Sequence, residues 1–514
     1  MHVPLTLTDF LYRAERVHGQ RIAVVDEPEP PGGGLGRITY AELGTMARSL
    51  AAALDDLGVD EGARVAIVSP NSARFLISLF GVSGFGRVLV PVNFRLNPDE
   101  IRYIIEHSGA TAALIDPDLE ATLRDVAIRH RLVLGHASDD RLFRCADPRP
   151  RFEVTDEARP VSINYTSGTT ARPKGVQLSH RSCWLNAVTL GWHLGVTDRD
   201  VYLHTLPTFH CNGWGMPYAL TAMGVRQVIQ RKIDGAEILR RVEREGVTLL
   251  NCAPAVMAAI LDAATALAGR GEPIPGRGTV RVVVAGAPPP SRVIERVETE
   301  LGWEFIQIYG LTETSPLLTV NRSPPEWDRL EPAERARRLA RAGVPAVGVR
   351  VEVSPGGELL ARSNHVFDGY YAQPDETARA IVDGWFHTGD GGHLDGGYAV
   401  ITDRKKDVII TGGENVSSIE VEDCLYQHPE VAEAAVIGVP HEKWGETVLA
   451  FVVLRAGATA TPRDLIDHCR TRLSHYKCPT TVELTDALPR TATGKLQKFR
   501  LREPYWADRG RGVN

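Results

Sequence analysis

Apolar and polar positions along the first 160 residues keep two rhythms. Thr6 to Val17 reads as a helix, Ile22 to Val25 as a strand, and Thr39 to Leu57 as an amphipathic helix opened by Thr39-Tyr-Ala-Glu42, the spacing of a capping box. Arg64 to Val68 and Val88 to Val92 are short apolar runs bounded by Gly or Pro, hence buried strands, with Ser72 to Phe85 helical between them. Strands alternating with helices predict a mostly parallel α/β sheet. Pro28 to Gly36 reads as a surface loop.

Further along, Ser179 to Asn186 begins a helix, and the strands Val280 to Ala285 and Phe305 to Ile308 run into Gly286-Ala-Pro-Pro-Pro290 and Tyr309-Gly310. In open α/β sheets ligands sit beyond the carboxyl ends of strands, so both loops fall where a nucleotide should lie. Pro325 to Arg341 reads as a charged helix whose arginines form a solvated face. Val347 to Leu360 and the segments near Tyr370, Trp385 and Tyr398 read as short strands with Gly turns, a small β subdomain. Dense charge at Asp403-Arg-Lys-Lys-Asp407, then an apolar strand at Val408-Ile-Ile410, marks a boundary between residues 1–403 and 404–514. Strand and helix patterns follow at Val431 to Val439, Val448 to Leu454 and Pro462 to Leu473, and Asp508 to Asn514 reads as a frayed tail.

Composition narrows the function. A chain of 514 residues, 43% hydrophobic and 24% charged, can bury a large core and should divide into at least two domains. The net charge of −6 lacks the basic excess of a nucleic-acid binder, so an anionic substrate must meet a local cluster of cations. Seven cysteines without a C-x-x-C pair argue for reduced thiols in a cytoplasm and against a disulfide framework or a zinc site. Neither a signal peptide nor an apolar run of about 18 residues is legible, and a soluble, cytoplasmic protein is expected.

The stretch Tyr165-Thr-Ser-Gly-Thr-Thr-Ala-Arg-Pro-Lys-Gly175 carries the chemistry. Clustered hydroxyls at Thr166, Ser167, Thr169 and Thr170, backbone freed by Gly168 and the cation of Lys174 suit a polyphosphate. It does not follow the G-x-x-x-x-G-K-[ST] pattern of P-loop NTPases, and for a shorter run a polar surface turn would be the better reading. The chain has eight lysines against fifty arginines. In so biased a chain a lysine marks a place where a compact, mobile ammonium is needed, which singles out Lys174 and Lys495.

Tyr165 to Gly175 resembles the first signature of the adenylate-forming superfamily, which comprises acyl-CoA synthetases, peptide-synthetase adenylation domains and beetle luciferases. Tyr309-Gly-Leu-Thr-Glu-Thr314, Gly384-Trp-Phe-His-Thr-Gly-Asp390, Asp403 to Asp407, Gly412-Gly-Glu-Asn415 and Pro489-Arg-Thr-Ala-Thr-Gly-Lys495 complete the set in the family's order. The resemblance implies a large amino-terminal domain of α/β subdomains plus a small β-barrel. A hinge at Lys406 would join it to a small, mobile α+β carboxy-terminal domain. It also implies that Gly286, Ala287 and Pro288 border an adenine on which Tyr309 stacks, that Asp390 grips both ribose hydroxyls, and that Arg404 contacts the ribose. Thr312 would hydrogen-bond the α-phosphate and Glu313 would hold Mg2+, a hard cation suited to oxygen ligands and polyphosphate. Lys495 would bridge a carboxylate and the α-phosphate, and Gly412 and Gly413 would line a pantetheine tunnel. On composition alone Tyr309 is as readily a half-buried aromatic beside a turn, and Asp390 a turn aspartate. Ala171 stands where the family commonly has glycine; a positive φ there would cost about 1 kcal/mol.

Leu206-Pro-Thr-Phe-His-Cys-Asn-Gly-Trp-Gly215 resembles the family's acyl-pocket motif. His210 by itself reads as a hydrogen-bonded core histidine. The resemblance assigns His210, Cys211, Asn212, Gly213 and Trp214 to the acid, with Ala285 and Gly310 on the far wall, and gives His210 a catalytic role. Amino-acid-activating relatives carry an aspartate here; Phe209, His210 and Cys211 provide none, which disfavours an amino acid. Small residues around Trp214 suggest volume and hence a medium- or long-chain fatty acid, with an aryl or polycyclic acid as the alternative. The expected activity is an ATP-dependent, Mg2+-requiring ligation of a small-molecule carboxylic acid to coenzyme A through an acyl-adenylate. With no carrier domain after residue 514, free coenzyme A is the expected acceptor, a separate carrier protein the rival. A luciferase-like oxygenase and an inactive nucleotide-binding scaffold are the other readings, and a homodimer is compatible with the family.

Overall fold

The computed structural model describes residue 1 and residues 3–166, 173–404, 407–411, 414–490 and 496–506, with nothing described for the side chain of Arg404. Two large sheets form the amino-terminal part. The seven-stranded sheet runs Gly369–Tyr370, Lys174–Ser179, Pro160–Thr166, Val88–Val92, Arg64–Val68, Ala112–Ile115 and His130–Val133 in spatial order. The nine-stranded sheet runs Val344–Pro345, Leu317–Arg322, Glu304–Gly310, Arg281–Val284, Leu249–Cys252, Val201–His204, Arg226–Ile229, Ile22–Val25 and Arg37–Thr39. Val88–Val92 is buried at every position and Arg64–Val68 at all but its first, the unbroken apolar pattern of parallel strands covered on both faces. Helices supply that cover, and one core cluster reaches from Leu7 through Phe80 and Trp214 to Phe386.

The local signals act as the sequence predicts. Thr39 caps the helix Tyr40–Asp56, with Glu42 closing the box on the Thr39 backbone at 2.7 Å. Ser72 caps Ala73–Gly81, which ends four residues before Phe85 and hands over to a short 3-10 turn at Ser83–Phe85.

Two expectations are corrected. Pro325 to Arg341 is not one helix: a 3-10 turn at Pro325–Trp327 precedes the helix Pro332–Leu339, because Pro332 is favourable only in a first turn. Arg337 is solvated as expected, but two of the other arginines are engaged. Arg335 is engaged by Glu298 and by the carbonyl of Trp327 at 2.8 Å, while Arg341 lies over the Tyr398 ring at 3.9 Å. The strand near Tyr370 also leaves the β subdomain, pairing Gly369 with Gln177 and Tyr370 with Val176 at the edge of the seven-stranded sheet. That edge would otherwise present unpaired backbone groups beside the phosphate-loop candidate.

The small β part is a five-stranded sheet of Val349–Val353, Glu358–Ser363, Trp385–Asp395, Ile381–Val382 and Tyr398–Arg404. The carboxy-terminal part has its own five-stranded sheet, Glu414–Val416, Ile409–Thr411, Gly445–Leu454, Val431–His441 and Thr481–Leu484, and its own core around Val421, Leu425, Val436 and Leu465. It meets the larger part where Asp423 accepts bonds from the backbone and hydroxyl of Ser291, both at 3.0 Å. Among the described residues no helix is long and apolar enough to cross a membrane.

Candidate active site

The strands Arg281–Val284 and Glu304–Gly310 are parallel neighbours in register Val284 to Gln307, so Ala285 to Pro288 and Tyr309 emerge side by side from their carboxyl ends. Gly286 has φ of +93°, and a side chain there would meet nothing within 4 Å. The glycine is thus set by backbone conformation over open space. Ala285 is buried, whereas Gly286 and Pro288 are exposed. Tyr309 donates its hydroxyl to Asp390 Oδ2 at 2.8 Å. Asp390 is neither exposed nor in a turn: it lies within the strand Trp385–Asp395, 5% exposed, opposite Arg404 in the ladder. Tyr309 and Asp390, far apart in the chain, therefore meet in one place.

Thr166 and Lys174 face each other across the ends of the strands Pro160–Thr166 and Lys174–Ser179. Between them, Ser167, Gly168, Thr169, Thr170 and Ala171 lie outside the described residues, as do Lys406, Gly412, Gly413 and Lys495. Lys174 is ion-paired with Glu376 and lies over the Tyr370 ring at 5.0 Å. Tyr370 in turn donates its hydroxyl to Glu313 Oε1 at 2.9 Å. Burial and then the Glu313 carboxylate raise the Tyr370 pKa, so the phenol stays a donor. The Lys174 ammonium, then Arg379, hold the Glu376 carboxyl below its usual range. Thr312 and Glu313 share one 3-10 turn, Thr312–Thr314, with Thr312 8% exposed.

Among the described residues no group of three or more His, Cys, Asp or Glu side chains could hold a metal. A single carboxylate at Glu313 still fits Mg2+, which keeps several waters and is bound through one or two carboxylates plus substrate phosphates. It does not fit a cation that needs an all-protein cage.

The stretch Cys211 to Gly215 is five consecutive residues of positive φ, at 46, 51, 62, 61 and 76°. For Cys211, Asn212 and Trp214 this costs roughly 1–2 kcal/mol each, so the surroundings must over-determine the turn. They do so with buried amides. Asn164 donates to Asn212 Oδ1 at 3.2 Å, Asn212 donates to Ser162 Oγ at 2.9 Å, and Asn186 donates to the Trp214 carbonyl at 3.1 Å. Asn71 fixes the preceding segment, bonding the carbonyls of His204 and Leu206 and accepting from the Thr208 backbone at 2.7 Å. Cys211 reaches the Thr312 carbonyl at 4.0 Å, which brings the acyl-motif turn against the phosphate-side turn. Burial raises the Cys211 thiol far above its ordinary pKa, making it an apolar wall and not a nucleophile. His210 is half-buried at the start of the turn, its backbone N–H bonded to the Pro207 carbonyl at 3.0 Å.

The small residues here have packing reasons. A side-chain carbon on Gly310 would lie 1.6 Å from the Pro316 carbonyl oxygen, and one on Gly215 would lie 2.5 Å from Asn186 Nδ2. A side-chain carbon on Gly213, by contrast, would meet Pro217 at 3.3 Å, and Trp214 is 3% exposed. Gly310 and Gly215 are thus required for close approach, Gly213 less so.

Sequence reading missed Asn71, Asn164, Asn186, Tyr370 and Glu376. Their partners are distant in sequence, and a buried asparagine carries no local signature. Only the adjacency of Tyr370 to Gly369 and a helix start at Pro374 offered a hint.

A family model described as "AMP-binding enzyme" matches residues 11–371, and one described as "AMP-binding enzyme C-terminal domain" matches residues 420–495. The chain is 37% identical to a 2-methylpropanoate–CoA ligase of Humulus lupulus, over 97% of this chain and 95% of that protein. It is 34% identical to a peroxisomal benzoate–CoA ligase of Arabidopsis thaliana, over 98% and 93%. Among solved structures, an anthranilate CoA ligase in complex with anthranoyl-AMP superposes with a TM-score of 0.87 at 25% identity, covering 98% of each chain.

Proposed function

The chain belongs to the AMP-binding enzyme family, and on that premise we propose that it is an ATP-dependent ligase joining a small carboxylic acid to coenzyme A. The observation that carries the reading is the Tyr309–Asp390 hydrogen bond of 2.8 Å beside the Lys174, Tyr370 and Glu313 set, a nucleoside end next to a phosphate end. Tyr309, with Gly286, Ala287 and Pro288, flanks the adenine, and Asp390 and Arg404 take the ribose. Thr166, Ser167, Gly168, Thr169, Thr170 and Lys174 receive the β- and γ-phosphates, Lys174 exchanging Glu376 for phosphate oxygens. Thr312 donates to the α-phosphate, and Glu313 holds Mg2+. The ion supplies neutralisation of polyphosphate charge.

In the first half-reaction a carboxylate oxygen attacks the α-phosphorus and pyrophosphate leaves. The nucleophile is already ionised, so no general base is required, and fixed donors with Lys495 stabilise the charge that builds on phosphoryl oxygens. In the second, the thiol sulfur attacks the acyl carbon, the thiol proton is lost and AMP leaves. Residues 404–514 pivot at Lys406 to exchange Lys495 for the Gly412-Gly413 loop, through which a narrow thiol arm passes close to backbone.

For the acid, a short branched or monocyclic aryl acid is favoured over the expected medium- or long-chain fatty acid. Gly310 and Gly215 have no spare room, Trp214 is buried in the turn, and the similar proteins are named for 2-methylpropanoate, benzoate and anthranilate. The test is pyrophosphate release over 2-methylpropanoate, benzoate, anthranilate and octanoate, with and without coenzyme A, beside Lys495→Ala. Release with the small acids that is lost in Lys495→Ala, with sustained turnover on coenzyme A, is expected. Strongest release with octanoate overturns the size assignment, and release without consumption of coenzyme A overturns the acceptor.

A further inference from the structure

Helix His180–Leu194 carries Asn186, which is fully buried and belongs to neither the phosphate loop nor the acyl motif. Its amide spans the gap between two turns. Nδ2 donates to the carbonyl of Trp214 at 3.1 Å, and Oδ1 accepts from the backbone N–H of Leu317 at 3.1 Å. Trp214 lies in the left-handed turn at Cys211 to Gly215; Leu317 opens the strand that leaves the Thr312–Thr314 turn. The contacts fix the amide's orientation, since one end faces a carbonyl and the other an N–H. They also define the residue: one planar group must donate and accept in opposite directions without charge, and it must be small enough to lie beneath Gly215.

Local bonds close the phosphate-side turn, where the Thr314 hydroxyl accepts from the Leu311 N–H at 3.0 Å, but they do not reach the acyl-side turn. The acyl-side turn holds a sparsely populated backbone conformation through five residues, and the phosphate-side turn ends at Ser315, also of positive φ, at 70°. We propose that Asn186 is a positioning residue that locks these turns to one another, so that the acid is presented to the α-phosphate in register. The inference rests on the ligase reading above. Asn186 touches no substrate; it acts through the Trp214 carbonyl and the Leu317 N–H. Asparagines at 164 and 212 brace the acyl-side turn from its other flank, so loss of Asn186 shifts this turn and does not dissolve it.

Asn186→Asp separates the two bonds. Ionised, it keeps an acceptor for Leu317 and sets an oxygen against the Trp214 carbonyl, so the acyl-side turn is displaced while the phosphate-side turn stays held. Protonated, it donates to that carbonyl as the amide does, so the assays are run at about pH 6.5 and about pH 8.5 and the displacement should deepen as pH rises. Asn186→Ala leaves a polar space that water can enter and relaxes both. Pyrophosphate release is measured for wild type and both variants with 2-methylpropanoate and with benzoate, together with the melting-temperature shift given by ATP. For Asn186→Asp the KM for acid should rise about tenfold, with the KM for ATP within about twofold and the ATP shift retained; Asn186→Ala should raise the acid KM less. A purely structural asparagine would lower the melting temperature and the active fraction and move neither KM. An acid KM within about twofold of wild type in both variants, or an ATP KM rising in equal proportion in Asn186→Asp, overturns the proposal. If neither variant folds, Ser162→Ala decides, since it loosens the same turn from the other side. A raised acid KM is expected, and an unchanged one overturns the proposal. Absence of release from the wild-type protein with both acids is a different failure: it overturns the ligase reading and this inference with it.

Discussion

Tyr370 joins the two charges of the proposed phosphate end, with Lys174 over its ring at 5.0 Å and Glu313 accepting from its hydroxyl at 2.9 Å. Tyr370→Phe keeps the ring and removes the bond, so Glu313 loses the donor that orients it. Hydrogen bonds to charged groups contribute about 1.5–3 kcal/mol, and half-burial favours the low end, so pyrophosphate release at saturating ATP and acid should fall about tenfold. Steady-state assays across a Mg2+ titration check this, and an unchanged rate at every Mg2+ concentration refutes it. Asp390→Ala acts at the other end. It strands the Tyr309 hydroxyl and removes both oxygens of the proposed ribose acceptor, and the KM for ATP should rise about tenfold or more while the acid KM holds, which initial rates at varied ATP will read.

The elements divide into those that local chemistry specifies and those that a partner specifies. Helix Tyr40–Asp56 belongs to the first kind, since Thr39 and Glu42 close its capping box within four residues. Thr39→Ala should cost about 1 kcal/mol, seen as a lower denaturant midpoint with an unchanged slope. The strand Glu304–Gly310 belongs to the second. Gly310 looked like a small wall of a roomy pocket, yet a side-chain carbon there would lie 1.6 Å from the Pro316 oxygen. Gly310→Ala should therefore cost about 3 kcal/mol, and the protein should melt markedly lower and bind ATP poorly. A thermal melt within error of wild type would show that the Pro316 turn gives way. The helix Pro332–Leu339 sits between the kinds. Pro332 sets its start locally, but Arg335 is held by Glu298, a choice made by a residue 37 positions away in the chain.

Across the whole molecule, burial leaves several histidines neutral. His180, His204 and His365 are each pushed down to about 4 by burial, from about 6.5 in an unfolded chain. The unfolded state then binds more protons between those values, so the stability they permit is complete above about pH 6.5 and is lost as pH falls toward 4. Each should take about 2 kcal/mol between pH 7 and 5, a steep acid loss in denaturant titrations. Among the described residues neither ring nitrogen of His365 has a hydrogen-bond partner, so His365→Leu should flatten that loss by about 2 kcal/mol without a penalty at pH 7. An unaltered slope would mean that His365 meets protons in the folded state. Local pattern specifies the α/β class, most strand and helix positions and the loops at strand ends, and it singles out Tyr309, Glu313, Lys174 and Asp390 as candidates. Apolar periodicity, capping spacing and turn residues are local, and they act wherever the chain goes. Long-range contacts put Tyr370 on the sheet edge beside Lys174, set Tyr309 against Asp390, give Gly215 its close packing, and hold a left-handed turn with three buried asparagines. Those outcomes depend on pairing a donor with an acceptor 28 or more residues away and on excluding water around both, and no local pattern of residue types encodes such a pairing.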